Sequence, residues 1–307
     1  MANRELTVLG TASQVPTRTR NHNGYVLRWD DEVFLFDPGE GTQRQLVIAG
    51  VRPTSITAIC ITHLHGDHCL GLPGVLARFA LDDRERPVDL YFPASGLEHI
   101  ERLRHAAVVD VWPHLRLHPL PLEESGVPRA NLRLVATPLE HRVDTLGWRI
   151  EEPAGRRMLP ERLAALGIHG ENIGRLVRTG SVELDGRRVL LDEVSTPRPG
   201  QRFAFVMDTG PCDAAVRLAE DADLAVCEST FLSAQAEQAR RWGHMTAREA
   251  AQVASAGRAH RLALTHYSQR YDDETAFADE AGELFPDVVA LRDLMTVVIP
   301  PRPPTGG

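Results

Sequence analysis

Short apolar runs, each closed by a turn signal, alternate along this chain with segments of helical spacing. Unbroken or every-other-residue hydrophobic runs predict strands at residues 6–11, 24–29, 33–37, 56–61, 88–92, 132–137, 146–151, 203–207, 224–227, 262–265, 288–291 and 295–299. Between them the spacing predicts helices at residues 42–50, 74–81, 97–107, 213–220, 246–256 and 274–284. Gly50 suits the left-handed position after the first helix, and Thr246 with Glu249 forms a capping box at the start of the fifth. Such alternation implies an α/β domain. Over residues 153–200 the pattern weakens to short helices at 160–167 and 171–180 and a hairpin at 181–191 around Asp185-Gly186. That segment carries Arg156, Arg157, Arg162, Arg175, Arg178, Arg187, Arg188 and Arg198, and it reads as an arm inserted at about 153–200 into one domain spanning 1–307. A Pro/Gly-rich tail at about 300–307 is expected to be disordered.

Composition changes this picture only slightly. With 307 residues, 43% of them hydrophobic, the chain can bury a large core. No apolar stretch approaches the roughly 20 residues of a membrane span, and the N-terminus has no signal-like segment. Cys60, Cys69, Cys212 and Cys227 are scattered, which suits a reducing compartment and predicts a cytoplasmic protein. A net charge of −8 argues mildly against a polyanionic partner. All 34 basic residues, however, are arginine, the better bidentate ligand for phosphate, and bound cations would make a site locally positive.

The chemistry concentrates in Thr62-His63-Leu64-His65-Gly66-Asp67-His68, directly after a predicted strand. Three imidazoles and a carboxylate this close suit zinc or its first-row neighbours, with manganese possible where carboxylates contribute. His63 and His65 can chelate one ion, while Asp67 and His68, beyond the flexible Gly66, can turn towards a second. His141, Asp208 and His266 also follow predicted strands. Ligand types recurring at four separated strand ends fit two β-sheets packed face to face with helices on their outer faces. His99, His105, His114 and His118 follow no ligand spacing and read as surface or core residues.

These residues and their surroundings resemble the metallo-β-lactamase superfamily and, within it, the ribonuclease Z family of transfer-RNA 3′-processing endonucleases. The superfamily likeness rests on the His63-His65-Asp67-His68 cluster followed by later His, Asp and His candidates. The narrower likeness rests on Gly10-Thr11 leading into Pro16-Thr17-Arg18-Thr19-Arg20-Asn21, on Phe36-Asp37-Pro38-Gly39-Glu40-Gly41-Thr42-Gln43, and on the run from Thr62 to Gly74. These are similar to the family's basic loop, its Gly-Glu-Gly-Thr turn and its extended metal motif. The family's His-Glu-Ala-Thr stretch appears as Cys227-Glu228-Ser229-Thr230, and its His-Ser-Thr stretch as His244-Met245-Thr246. The arm's Gly-Pro-rich tip is replaced by Gly167-Ile168-His169-Gly170-Glu171-Asn172.

The resemblance implies an αββα sandwich with a protruding arm, two zinc ions per chain and a homodimer acting on precursor transfer RNA. It places one zinc on His63, His65 and His141, the other on Asp67, His68 and His266, and Asp208 between them. Asp67 would take the proton of the attacking water, His244 would protonate the leaving 3′-oxygen, and Glu228 would orient His244. Arg18, Arg20 and Asn21 would contact the RNA backbone. The products would be a transfer RNA with a 3′-hydroxyl and a trailer with a 5′-phosphate. A small-molecule phosphodiesterase or related hydrolase on the same fold is the alternative, since it would keep every ligand without needing the arm or the basic loop. A non-catalytic binding protein should have lost ligands, and none is lost here.

Overall fold

Phe34 and Phe36 point to one side of their strand and Val33 and Leu35 to the other, and the two pairs belong to different cores. The same period of two splits Phe203 and Phe205 from Ala204 and Val206. Phe36 meets Phe205 at 4.8 Å between ring centroids, so the first member of each split faces the other across a shared interior. This computed structural model describes residues 4–108, 114–184 and 186–300.

In chain order the strands are β1 (Arg4–Gly10), β2 (Gly24–Trp29), β3 (Glu32–Phe36), β4 (Ala58–Cys60), β5 (Val88–Pro93), β6 (Leu115–Leu120), β7 (Ser125–Arg129), β8 (Leu132–Leu139) and β9 (Thr145–Glu151). They continue as β10 (Gly155–Met158), β11 (Ser181–Leu184), β12 (Arg187–Leu190), β13 (Ser195–Arg198), β14 (Arg202–Val206), β15 (Leu224–Glu228), β16 (Leu262–Thr265), β17 (Val288–Ala290) and β18 (Thr296–Val298). One sheet runs β18-β1-β2-β3-β4-β5-β6 and the other β17-β16-β15-β14-β9-β8-β7. Their inner faces share the core of Tyr25, Phe34, Phe36, Trp148, Phe203 and Phe205. Helices Leu72–Leu81 and Leu97–Arg104 cover the outer face of the first sheet, and Asp213–Ala219, Ala247–Ala256 and Thr275–Gly282 cover that of the second. The αββα sandwich expected from the sequence is the observed architecture.

β3, β4, β5 and β6 pair in parallel, as do β14, β15, β16 and β17. Parallel pairing sends several strands out of the sheets at the same end, and that is where ionisable residues collect. Asp37 after β3, Asp208 after β14 and His266 after β16 have φ of 44°, 45° and 66°. A left-handed backbone is costly for side chains larger than glycine, so its recurrence at three strand ends marks a site held in shape by its surroundings.

The pattern missed some elements. β6 and β7 are not among the expected strands, and each carries a proline, Pro119 and Pro128. Both lie at sheet edges, where a missing N–H leaves no ladder bond broken. The segment expected as a metal-binding loop contains a helical turn at Gly66–Cys69, and a helix not expected from the sequence spans Ala236–Trp242. The helix expected at 97–107 stops at Arg104.

Residues 152–201 form a second compact unit with its own core of Leu163, Ile168, Leu176, Val182, Val189 and Val194. Within it β10 pairs with β13 and β11 with β12, and helices span Pro160–Ala165 and Glu171–Thr179. Position 185 in the expected hairpin turn, and the expected disordered tail over 301–307, lie outside the described residues.

Candidate metal centre and active site

Seven of the expected side chains converge at the strand ends. Ligand-type atoms of His63, His65, His141 and Asp208 lie within 4.8 Å of one another, and so do those of Asp67, His68 and His266. Asp208 stands between the groups. Its Oδ2 is 3.5 Å from His63 Nε2 and 3.8 Å from His141 Nε2, while its Oδ1 is 3.4 Å from His68 Nε2 and 3.1 Å from His266 Nε2. Asp67 Oδ2 lies 3.2 Å from His68 Nε2 and 3.4 Å from His266 Nε2. A carboxylate with one oxygen towards each group has the disposition of a bridging ligand.

The chemistry of the donors fits metal. Buried His141 Nε2, His266 Nε2 and Asp208 Oδ1 have no hydrogen-bond partner among the described residues. Buried polar atoms left without partners are expensive, and a cation in each group would satisfy them. The opposite nitrogen of each ring is tied down. His63 Nδ1 lies 3.0 Å from Thr62 Oγ1, His68 Nδ1 2.8 Å from Asp37 Oδ2, His141 Nδ1 2.9 Å from Gly243 O, and His266 Nδ1 2.7 Å from Thr230 Oγ1. Such bonds fix ring orientation and turn each Nε2 into the cluster, where Asn23 Nδ2 also approaches His68 Nε2 at 3.2 Å. His65 differs, with its Nδ1 turned to the cluster 2.9 Å from His63 Nε2.

Burial lowers the pKa of His63, His65 and His141 against the pull of Asp208, which favours the neutral, ligating ring. His68 goes the other way. Burial lowers it, but Asp67, Asp208 and Asp37 together raise it well above the usual histidine range. Burial pushes the Asp67 and Asp208 carboxyls up, yet the surrounding histidines pull both below the usual carboxylate range.

Glu228 and His244 form a different kind of pair. His244 Nδ1–H donates to Glu228 Oε1 at 2.7 Å. Glu228 is fully buried and also accepts from Thr209 N, Thr230 N, Thr230 Oγ1 and Met245 N. Those bonds occupy both carboxylate oxygens, which leaves Glu228 unsuited to ligate although it lies within reach of Asp208 and His266. Burial pulls His244 down, but the Glu228 charge and hydrogen bond outweigh it and raise the pKa to about 9. Among the described residues His244 Nε2 has no hydrogen-bond partner, and it lies in a cleft of about 200 Å³ that His65, Asp67, Asp208 and His266 also line.

The basic loop is exposed only in part. Arg18 is exposed, but Arg20 is buried and its Nη2 donates to the Ser268 and Tyr271 carbonyls, with the guanidinium over the Tyr267 ring. Asn21 donates through its side-chain amide to Glu40 O at 2.8 Å and through its backbone N to Asp293 Oδ2 at 2.7 Å. Through these bonds Arg20 and Asn21 tie the loop to the domain, and Arg18 is the arginine of the loop that stands exposed. Sequence reasoning also passed over Asp37, Thr62, Thr230 and Gly243, which orient the candidate ligands. The available signal was Thr62 and Asp37 each next to a strand end.

Among the described residues no helix is long and apolar enough to cross a membrane. Residues 17–152 match the metallo-beta-lactamase superfamily, and residues 193–267 match a beta-lactamase superfamily domain. The chain is 56% identical to a protein of Salinispora arenicola named Ribonuclease Z, covering 98% of each. It is 54% identical to one of Nocardia farcinica with the same name, covering 98% of this chain and all of that one. The crystal structure of human tRNase Z, short form, superposes with a TM-score of 0.70 at 27% identity, covering 96% of this chain and 99% of the other.

Proposed function

The chain belongs to the ribonuclease Z family of the metallo-β-lactamase superfamily, and from that premise we propose how its residues cleave precursor transfer RNA on the 3′ side. The observation that carries the reading is the placing of His244 Nε2, unbonded, in the same cleft as two ligand groups joined by Asp208.

His63, His65 and His141 would hold one divalent ion, Asp67, His68 and His266 a second, with Asp208 shared. The imidazole-rich donor set favours zinc. Such a pair, when bound, supplies positive charge that acidifies an attacking water and offsets charge building on the phosphoryl oxygens. Asp67 keeps Oδ2 beside His68 and His266, and its Oδ1 is the atom to accept the proton of the attacking water. As the bond from phosphorus to the 3′-oxygen breaks, His244 Nε2 gives that oxygen a proton, and Glu228 stabilises the protonated ring beforehand. The transfer RNA leaves with a 3′-hydroxyl and the trailer keeps a 5′-phosphate.

Arg18 is the exposed cation of the basic loop and the one suited to backbone phosphate. The unit 152–201 carries its own core and an arginine-rich composition, which supports an arm for the body of the RNA. A homodimer belongs to the same proposal, supported by Val47, Ile48, Leu70 and Leu81, large apolar side chains exposed on or next to the helices of the first sheet's half. The place of work would be the cytoplasm, in keeping with four free cysteines.

The test is cleavage of a precursor transfer RNA with end-group analysis, run beside an aryl phosphodiester and with metal analysis of the same sample. The expected result is a 3′-hydroxyl on the transfer RNA, a 5′-phosphate on the trailer and close to two ions per chain. Turnover of the diester with no cleavage of the RNA would replace this reading with the small-molecule phosphodiesterase.

A further inference from the structure

Trp242 is the last residue of the helix Ala236–Trp242, and its side chain is 42% exposed. A tryptophan so open beside a polar site is unusual, because most of its area is gained by burial. It lines the same cleft as His244 and the ligand-bearing Asp67, Asp208 and His266. Two guanidinium groups lie against its ring, Arg142 at 4.8 Å and Arg241 at 5.5 Å from the centroid. Neither guanidinium pairs with a carboxylate among the described residues, so both remain available to an anion.

The backbone fixes this group relative to the reaction. Gly243, at φ 71°, separates Trp242 from His244, and its carbonyl accepts from His141 Nδ1 at 2.9 Å. A Cβ at Gly243 would sit 3.1 Å from that ring nitrogen, so the turn is closely fitted to the segment bearing Arg142. Trp242, Arg142 and the proton donor are therefore tied together through Gly243 and His141.

An aromatic face stacks any base, and free arginines hold the flanking phosphates, which is the recurring chemistry of single-stranded nucleic-acid sites. The geometry points to Trp242 as the stacking platform for the base of the last nucleotide retained on the transfer RNA, with Arg142 and Arg241 as its phosphate contacts. The side is set by His244: the nucleotide bearing the leaving 3′-oxygen must lie against the proton donor, and Trp242 is two residues away. This rests on the proposed function, and adds to it a base-binding subsite.

Three precursor transfer RNAs test it: one unmodified, one abasic at the last retained nucleotide, and one abasic at the first trailer nucleotide. For the intact protein, the first abasic substitution should lower kcat/KM by about 5–150-fold, the range that one base–aromatic stack supplies. Trp242→Ala should close that gap, and Trp242→Phe should keep part of it. Should Trp242→Ala fail to fold, Trp242→Leu and a 2-aminopurine probe at the last retained position take its place, with quenching expected in the wild-type protein and lost in the variant. Arg142→Ala should lower the salt dependence of binding by about one unit of slope. A wild-type protein indifferent to the last retained base, a penalty that survives in Trp242→Ala, or an equal penalty at the trailer nucleotide overturns the assignment. Failure to cleave the unmodified precursor would instead remove the proposed function beneath it.

Discussion

Asp37 and Glu228 occupy matching stations on the two sheets. Each is a fully buried carboxylate following or ending a strand, and each accepts one histidine N–H directly, His68 at 2.8 Å and His244 at 2.7 Å. Each also accepts a threonine hydroxyl that holds a second histidine: Thr62 with His63, and Thr230 with His266. Backbone N–H groups fill the remaining positions, Thr62 N on Asp37 and Thr209 N on Glu228. The two acids thus orient the site from below while ligand-type atoms face inward.

Asp37→Asn tests the first station. The amide replaces an acceptor with an NH₂ group facing donors at His68 and Thr62, which pushes His68 towards the tautomer with its proton on Nε2. That nitrogen is then lost as a ligand. Metal affinity should fall about 10–100-fold, the usual effect of removing a ligand's orienting partner. Competition against a chromogenic chelator measures it, and unchanged affinity would show that Asp37 serves folding alone.

Glu228→Gln tests the second station through pH. His244 has its pKa raised to about 9, so it stays protonated as pH rises through neutrality and loses its proton only through the alkaline range. Removing the Glu228 charge takes away the cause of the rise. The alkaline limb of RNA cleavage should therefore move towards neutral pH in the variant, and kcat should fall even where metal content is held constant by excess zinc. A limb that stays in place would separate it from His244.

Much of this arrangement was legible in the sequence because ligand chemistry is local and sparse. His63, His65, Asp67 and His68 announce themselves by spacing, and His141, Asp208 and His266 by following apolar runs. Asp37 and Thr62 were harder, since a carboxylate or hydroxyl at a strand end is ordinary until the strand opposite is known. The placing of Arg20 was hidden for the converse reason. Its surroundings in the chain are polar and basic, but it folds back onto carbonyls of residues 268 and 271, a contact that no local pattern encodes. The prolines of β6 and β7 hid two strands whose tolerance of proline depends on lying at sheet edges.

Gly71→Ala should destabilise the domain and its metal site together. A Cβ at Gly71 would lie 1.9 Å from Gly39 O, and one at Gly39 would lie 2.2 Å from Asp67 O. Backbone meets backbone here, so no side-chain rotamer relieves the clash. Overpacking of this kind costs about 1–3 kcal/mol or more. Thermal unfolding in zinc and in chelator would show a lower Tm in both and a smaller gain from the metal.

Replacing residues 155–197 with a short linker tests the arm. The segment's apolar side chains, Leu163, Ile168, Leu176, Val182, Val189 and Val194, pack with one another in a core of their own. KM for precursor transfer RNA should rise far more than turnover of an aryl phosphodiester falls. Parallel losses on both substrates would make the segment part of the structural core.

His244 carries the sharpest expectation, because the need for its proton depends on what leaves. A ribose 3′-oxygen is a poor leaving group without a proton, whereas p-nitrophenolate departs unaided. General acid catalysis contributes about 10²–10⁴-fold, so His244→Ala should lower RNA cleavage within that range while a p-nitrophenyl phosphodiester is hurt far less. The fold should survive, since the helix behind His244 starts from its own capping box, with Thr246 accepting from Glu249 N and Glu249 accepting from Thr246 N. Metal content, measured on the same preparation, separates loss of a proton donor from loss of a site. Equal losses on both substrates at full occupancy would make His244 a phosphate-binding residue, and the proton would have to come from elsewhere in the cleft.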